Sequence, residues 1–136
     1  MYALNRVTLI GNVATDIDCK ILNSGDSIVR FRLVTSERWK DNNGEIQEKP
    51  EWHNIVIFNE KLVKLVEKSL TKGDRIMVEG QLHTRKWQDR EEQIHFKTEV
   101  ILHKSRGKLL LMRRNDSLEK KLENDIIGND YLQSIA

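Results

Sequence analysis

From Arg6 to Val13 the chain alternates, with Val7, Leu9 and Val13 on one parity, which predicts a half-buried strand. Gly11-Asn12 near its end allows a bulge or sharp bend. A turn at Asn23-Ser24-Gly25-Asp26 leads into 27–40, where Val29, Phe31 and Leu33 alternate with Arg30 and Arg32. The second half of that run, Ser36 to Lys40, loses the alternation. A strand usually spans about 5–6 residues, so the far end of this one is expected to project beyond the core. Asp41-Asn42-Asn43-Gly44 follows, and Asn-Gly is a strong hairpin signal.

The chain returns over 51–58, a strand rich in β-branched and aromatic residues. In 59–70, Leu62, Val63, Leu65, Val66 and Leu70 recur at helical spacing, with Asn59 placed to cap the start and Gly73 to end the helix. Strand character resumes over 75–87, with Ile76, Val78 and Leu82 on one parity. After the polar turn 89–92, Ile94, Phe96, Thr98, Val100 and Leu102 form one face of another strand, and 109–112 closes the body. The order is strand, strand, strand, helix, strand, strand. It predicts an all-β fold with one helix, the five-stranded Greek-key barrel called the OB-fold, with a projecting β-hairpin arm between strands 2 and 3.

Face parity locates the aromatics. In 51–58, Ile55 and Ile57 make a natural core face with His53, which turns Trp52, Asn54, Val56 and Phe58 outward. In 75–87 the inner set Ile76, Val78 and Leu82 leaves Arg85 and Trp87 facing out. Trp39 lies in the projecting arm between Arg38 and Lys40, although its parity matches Phe31. A single tryptophan of this kind is most simply a barrel cap or a subunit contact. Three on polar faces, with Trp39 and Trp87 directly beside a cation, point to stacking on unpaired bases with phosphates held by Lys and Arg.

Composition narrows the field. The hydrophobic fraction of 38% and charged fraction of 32% in 136 residues describe one soluble domain, and no apolar run approaches the roughly 20 residues of a spanning helix. Residues 1–115 carry 21 Lys and Arg against 16 Asp and Glu, whereas 116–136 carry two lysines against five acids. A basic body suits a polyanionic partner. Cys19 is the single cysteine and has no partner for a disulfide or a thiolate metal site. The four histidines show no metal-ligand spacing, and no phosphate loop or catalytic triad can be assembled, so neither enzyme activity nor a cofactor or metal is expected. The N-terminus shows neither a signal peptide nor a transit segment, and a cytoplasmic chain is expected.

Leu4-Asn-Arg-Val-Thr-Leu-Ile-Gly-Asn12, Thr35-Ser-Glu-Arg-Trp39, Glu51-Trp-His53, Glu79-Gly-Gln-Leu82 and Thr84-Arg-Lys-Trp87 together resemble the bacterial single-stranded DNA-binding protein family. The likeness spans about 3–112. It implies an OB-fold domain over 1–112 that assembles into a homotetramer and binds single-stranded DNA in replication, recombination and repair. By resemblance the stacking residues are Trp39, Trp52, Phe58 and Trp87. The phosphate contacts would be Arg6, Lys20, Lys61, Lys72, Arg85 and Lys86, joined by Arg38 and Lys40 beside Trp39, with His53 at the subunit interface. A dimeric paralogue in primosome or recombination assembly and an RNA-binding OB module are the alternatives. Residues 113–136 depart from the family, whose bacterial members usually end in an acidic tip closing on Pro-Phe. Here the acids are scattered and the only proline is Pro50, so recruitment of the usual acidic-tip partners is not expected. A bacterial, nucleoid-associated or phage-borne setting is expected in preference to the mitochondrial matrix.

Overall fold

The computed structural model describes residues 2–112, so the expectations for 113–136 lie outside the described residues. Seven strands and one helix follow in order: β1 (Val7–Val13), β2 (Asp18–Ile21), β3 (Ser27–Lys40), β4 (Ile46–Ile57), α1 (Glu60–Ser69), β5 (Arg75–Gln88), β6 (Ile94–Leu102) and β7 (Lys108–Leu111). Five of them close into a barrel in the spatial order β1, β3, β4, β6, β5 and back to β1, with β4 and β6 parallel and the other pairs antiparallel. This is the OB-fold topology. Closure depends on β1, which pairs with β5 from Val7 to Asn12 and crosses to β3 at Asn12 and Val13. A side chain at Gly11 would collide with the Val34 carbonyl, so only glycine lets the two strands approach there.

The barrel interior is apolar. Val29, Leu33, Ile57, Ile76, Val78 and Leu102 are fully buried, and Phe31, Ile55 and Val100 complete the layer. Truncating one of the isoleucines to alanine would cost about 2–5 kcal/mol, a large share of the roughly 5–15 kcal/mol that holds a domain folded. The helix covers one end of the barrel with Val63, Val66 and Leu70. Asn59 caps it by accepting from the amides of Lys61 and Leu62 at 3.0 and 3.2 Å. Gly73 does not end the helix. The backbone is already extended at Leu70, and the left-handed φ of Gly73 serves the following turn, whose Thr71 and Asp74 are hydrogen-bonded to each other.

Elsewhere the barrel is larger or smaller than the alternation predicts. The strand expected at 51–58 starts at Ile46, because the outer half of β4 pairs with β3 as an arm without a core. A second arm appears where none was expected. Beyond Gly80, β5 and β6 leave the barrel as a two-stranded ribbon with no further strand to cover either face. Leu82, assigned to the inner face, is therefore 50% exposed, and Ile94 and Phe96 are exposed as well. Val56 keeps its outward parity yet is buried there, between its register partners Arg30 and Ile101 and near buried Ile28. The short strand β2 had no alternation to announce it; it is fully exposed and exists through pairing with β3.

Candidate nucleic-acid interface

One continuous outer face runs across β2, β3, β4, β6 and β5. Cross-strand register assigns to it Lys20 from β2, Arg30 and Arg32 from β3, and Trp52, Asn54 and Val56 from β4. The same face continues through Lys97, Glu99 and Ile101 of β6 to Gln81, Arg85 and Trp87 of β5. Phe58 extends the β4 row just past the strand, where its amide donates to the Leu102 carbonyl at 2.9 Å.

Trp52 is 49% exposed, and the Arg32 guanidinium lies 4.8 Å from its ring centroid. Such a cation is attracted by the ring quadrupole. Trp87, 45% exposed, is prepared differently: its ring stacks on His95 with centroids 4.4 Å apart and planes 21° from parallel. His95 is held in turn by Asp89, Nε2 to Oδ2 at 2.7 Å. That hydrogen bond, followed by one from the Gln93 amide, keeps the Asp89 carboxyl below the usual carboxylate range. Phe58 is half-buried and pairs with His103, centroids 6.3 Å apart and planes 18° from parallel.

Three of the four expected stacking residues, Trp52, Phe58 and Trp87, thus share the face. Trp39 does not share that parity: it sits opposite Gln47 on the other side of the β3–β4 arm. Among the expected cations, Lys20 lies at the margin of the face. Arg38 and Lys40 extend the Arg32 parity along the arm, where Arg38 is engaged by Glu48 at 3.6 Å. Arg85 is on the face but is not free, since its Nε lies 2.9 Å from Oε1 of Glu99. Glu99 is only 3% exposed, and Arg85 Nε has no aligned hydrogen-bond partner, so the contact is an ion pair across a diagonal of the ladder. Lys86 points to the opposite side, level with Phe96. Lys61 and Lys72 are exposed on and after the helix, and Arg6 is exposed just before β1. His53 lies on the core side and shares a hydrogen bond with Thr35, Nε2 to Oγ1 at 2.9 Å.

Sequence reasoning missed Arg30, Arg32, Lys97, His95 and His103. The two arginines had a signal in the sequence, because each stands between buried members of β3. The histidines had none before the register was known. Among the described residues no cluster of His, Cys, Asp or Glu is arranged to hold a metal ion, and no helix is long and apolar enough to cross a membrane.

Known proteins share this pattern. The sequence model described as the "Single-strand binding protein family" matches residues 4–106. A protein of Rickettsia typhi named "Single-stranded DNA-binding protein" is 42% identical over 116 residues, 85% of this chain and 76% of the relative. One of the same name from Rhizobium meliloti is 48% identical over 101 residues, 74% of this chain and 58% of the relative. Among solved structures, one titled "Plasmodium falciparum SSB complex with ssDNA" superposes with a TM-score of 0.78 at 42% identity, covering 83% of this chain and 98% of that one. With the barrel, the aromatic outer face and these likenesses in agreement, the chain belongs to the single-strand binding protein family.

Proposed function

We propose that the protein binds single-stranded DNA without catalysis and with little regard to sequence, holding it open and shielded during replication, recombination and repair. The observation that carries this reading is the placement of Trp52, Phe58 and Trp87 on one outer face among Lys20, Arg30, Arg32 and Lys97. Every base has a flat face to stack, so such a surface is sequence-tolerant, and the cations follow the backbone. Duplex DNA keeps its bases stacked on one another and offers this face little. Saturating oligo-dT is therefore expected to quench most of the tryptophan fluorescence, and a duplex of equal length to quench little. Full quenching by duplex, or none by oligo-dT, would overturn the reading. With relatives in Rickettsia and Rhizobium, the setting on this reading is the bacterial cytoplasm, on the nucleoid.

The same reading includes assembly into a homotetramer. Two features support it. From Val7 to Gly11, β1 pairs only with β5, leaving its other edge open to a second strand. Ile10, Met77 and Leu110 form an apolar row across β1, β5 and β7 on the barrel's outside, with Ile10 and Leu110 about half exposed. His53 would then lie at the subunit contact. A monodisperse species of 16.0 kDa in analytical ultracentrifugation at micromolar concentration would count decisively against assembly.

A further inference from the structure

The ribbon that β5 and β6 form beyond Gly80 has two faces, and only one of them carries the stacking residues. Cross-strand register gives the reverse face Leu82 opposite Val100, Thr84 opposite Thr98, Lys86 opposite Phe96 and Gln88 opposite Ile94. Leu82 at 50%, Ile94 at 54% and Phe96 at 70% exposure leave much of its apolar surface in water. The polar pair at its centre is already satisfied, since the Thr84 and Thr98 hydroxyls share a hydrogen bond at 3.1 Å. Covering these hydroxyls leaves neither without a partner. Three large apolar side chains on a strip that holds one cation, Lys86, and no carboxylate mark a surface for an apolar, acidic ligand.

The chain itself contains a segment of that chemistry. Asn124-Asp125-Ile126-Ile127 and Asn129-Asp130-Tyr131-Leu132 repeat one pattern, Asn-Asp followed by two apolar residues, and Ile135 follows. Glu123, Asp125 and Asp130 are the charges there, and no lysine or arginine occurs from Leu122 onward. The reach is sufficient. Met112 is fixed at the root of β5, where its amide donates to the Arg75 carbonyl at 2.9 Å. Arg75 to Lys86 is about 36 Å along the strand at about 3.3 Å per residue. The residues from 113 to 126 span up to about 46 Å when extended, which brings the first apolar pair to the middle of the arm.

We infer that residues 124–135 dock in cis on the reverse face of the β5–β6 arm, with their apolar residues over Leu82, Ile94 and Phe96 and an aspartate beside Lys86. Held there, the acids lie on the far side of the ribbon from Trp87 and Lys97, so the docked segment and a single strand occupy the arm at the same time. The docking stands apart from the proposed binding of DNA and is read without it. The test places a photoreactive phenylalanine analogue in place of Ile94 in the full chain and maps its crosslinks by mass spectrometry. Crosslinks are expected within 123–136, in a product that keeps the mass of one chain on a denaturing gel. Joint Ile127→Ser and Tyr131→Ser substitution is expected to cut their yield about fivefold or more, and so is Phe96→Asp, which sets a like charge against the segment. Saturating oligo-dT is expected to leave the yield within about twofold of its value without DNA. No crosslink within 123–136, or a yield indifferent to all of these substitutions, would overturn the inference. A product of doubled mass would overturn it by putting a second copy on the face, and loss of the crosslink with oligo-dT would overturn it by putting the segment on the stacking side.

Discussion

Two long hairpins leave the same barrel, and each carries a tryptophan on the same outer face. In the arm of β3 and β4, the face of Trp52 is occupied by a cation, Arg32. In the arm of β5 and β6, one face of Trp87 is covered by a second ring, His95, fixed by a carboxylate. The first arm offers a stacking surface with its counter-charge attached. The second offers a ring backed by His95, with Arg85 of the same face already paired with Glu99. On the proposed reading, the first arm would contribute stacking and charge from a single contact, whereas the second would contribute a ring braced by another ring, with its cation Lys97 across the ladder from Arg85 rather than over the tryptophan.

The strongest challenge to this contrast is to remove each ring in turn. Trp52→Ala and Trp87→Ala should each weaken oligo-dT binding by about 1–3 kcal/mol, measured by anisotropy, and the double variant should show their sum if the arms act independently. A single variant that abolishes all binding would mean that the arms are one cooperative unit. Removing the partners separates the arms further. His95→Ala should cost about 0.5–1.5 kcal/mol of affinity through a looser Trp87 and leave the salt slope unchanged. Arg32→Ala should make that slope shallower by about 0.7. Equal slopes for the two variants would erase the distinction between a charged arm and a braced one.

Glu99→Gln tests whether Arg85 can add to the charge that Lys97 gives the second arm. The isosteric amide keeps the side chain's shape and releases Arg85, which is 39% exposed and able to reach a phosphate. Binding should then steepen with salt by about 0.7 in slope. An unchanged slope would show that Arg85 is structural. The smallest effect lies at the arm tips. Asp41, held by the Gln47 side chain and the Glu45 and Asn43 amides, and Asp89, held first by His95 and then by the Gln93 amide, both sit below the usual carboxylate range. With a folded value below the unfolded one, each contribution is complete above the ordinary Asp range and disappears as pH falls through the lowered value. Protection of the Glu45 and Gln93 amides, relative to their intrinsic exchange, should fall slightly over that window, and His95→Ala should diminish only the Asp89 response.

What the sequence revealed followed what a single strand records. Alternation located Val29, Phe31, Leu33, Ile55, Ile57, Ile76 and Val78 inside, because each lies where strands from all sides close the barrel. Alternation failed at Leu82, Ile94 and Phe96 for the complementary reason: the pattern continues along β5 and β6, but the covering layer stops at Gly80. Trp52, Phe58 and Trp87 were placed by parity within their own strands. Arg32 over Trp52, His95 under Trp87 and Glu99 beside Arg85 are relations between strands, fixed by register, and no one segment contains them.

The crossing of β1 has a consequence for the order of events during synthesis. Its main partner is β5, with Val7 opposite Gly80, so this strand pairs with one made roughly seventy residues later. At about 5–20 residues per second that is a wait of roughly 4–14 s. The β3–β4 arm and α1 are complete within that interval, and pairings of such sequence separation are slow to form in any case. Val7 and Leu9 must stay out of non-native contacts until β5 arrives, and the two halves of the outer face, Trp52 from the early chain and Trp87 from the late one, first become a single surface when the barrel closes.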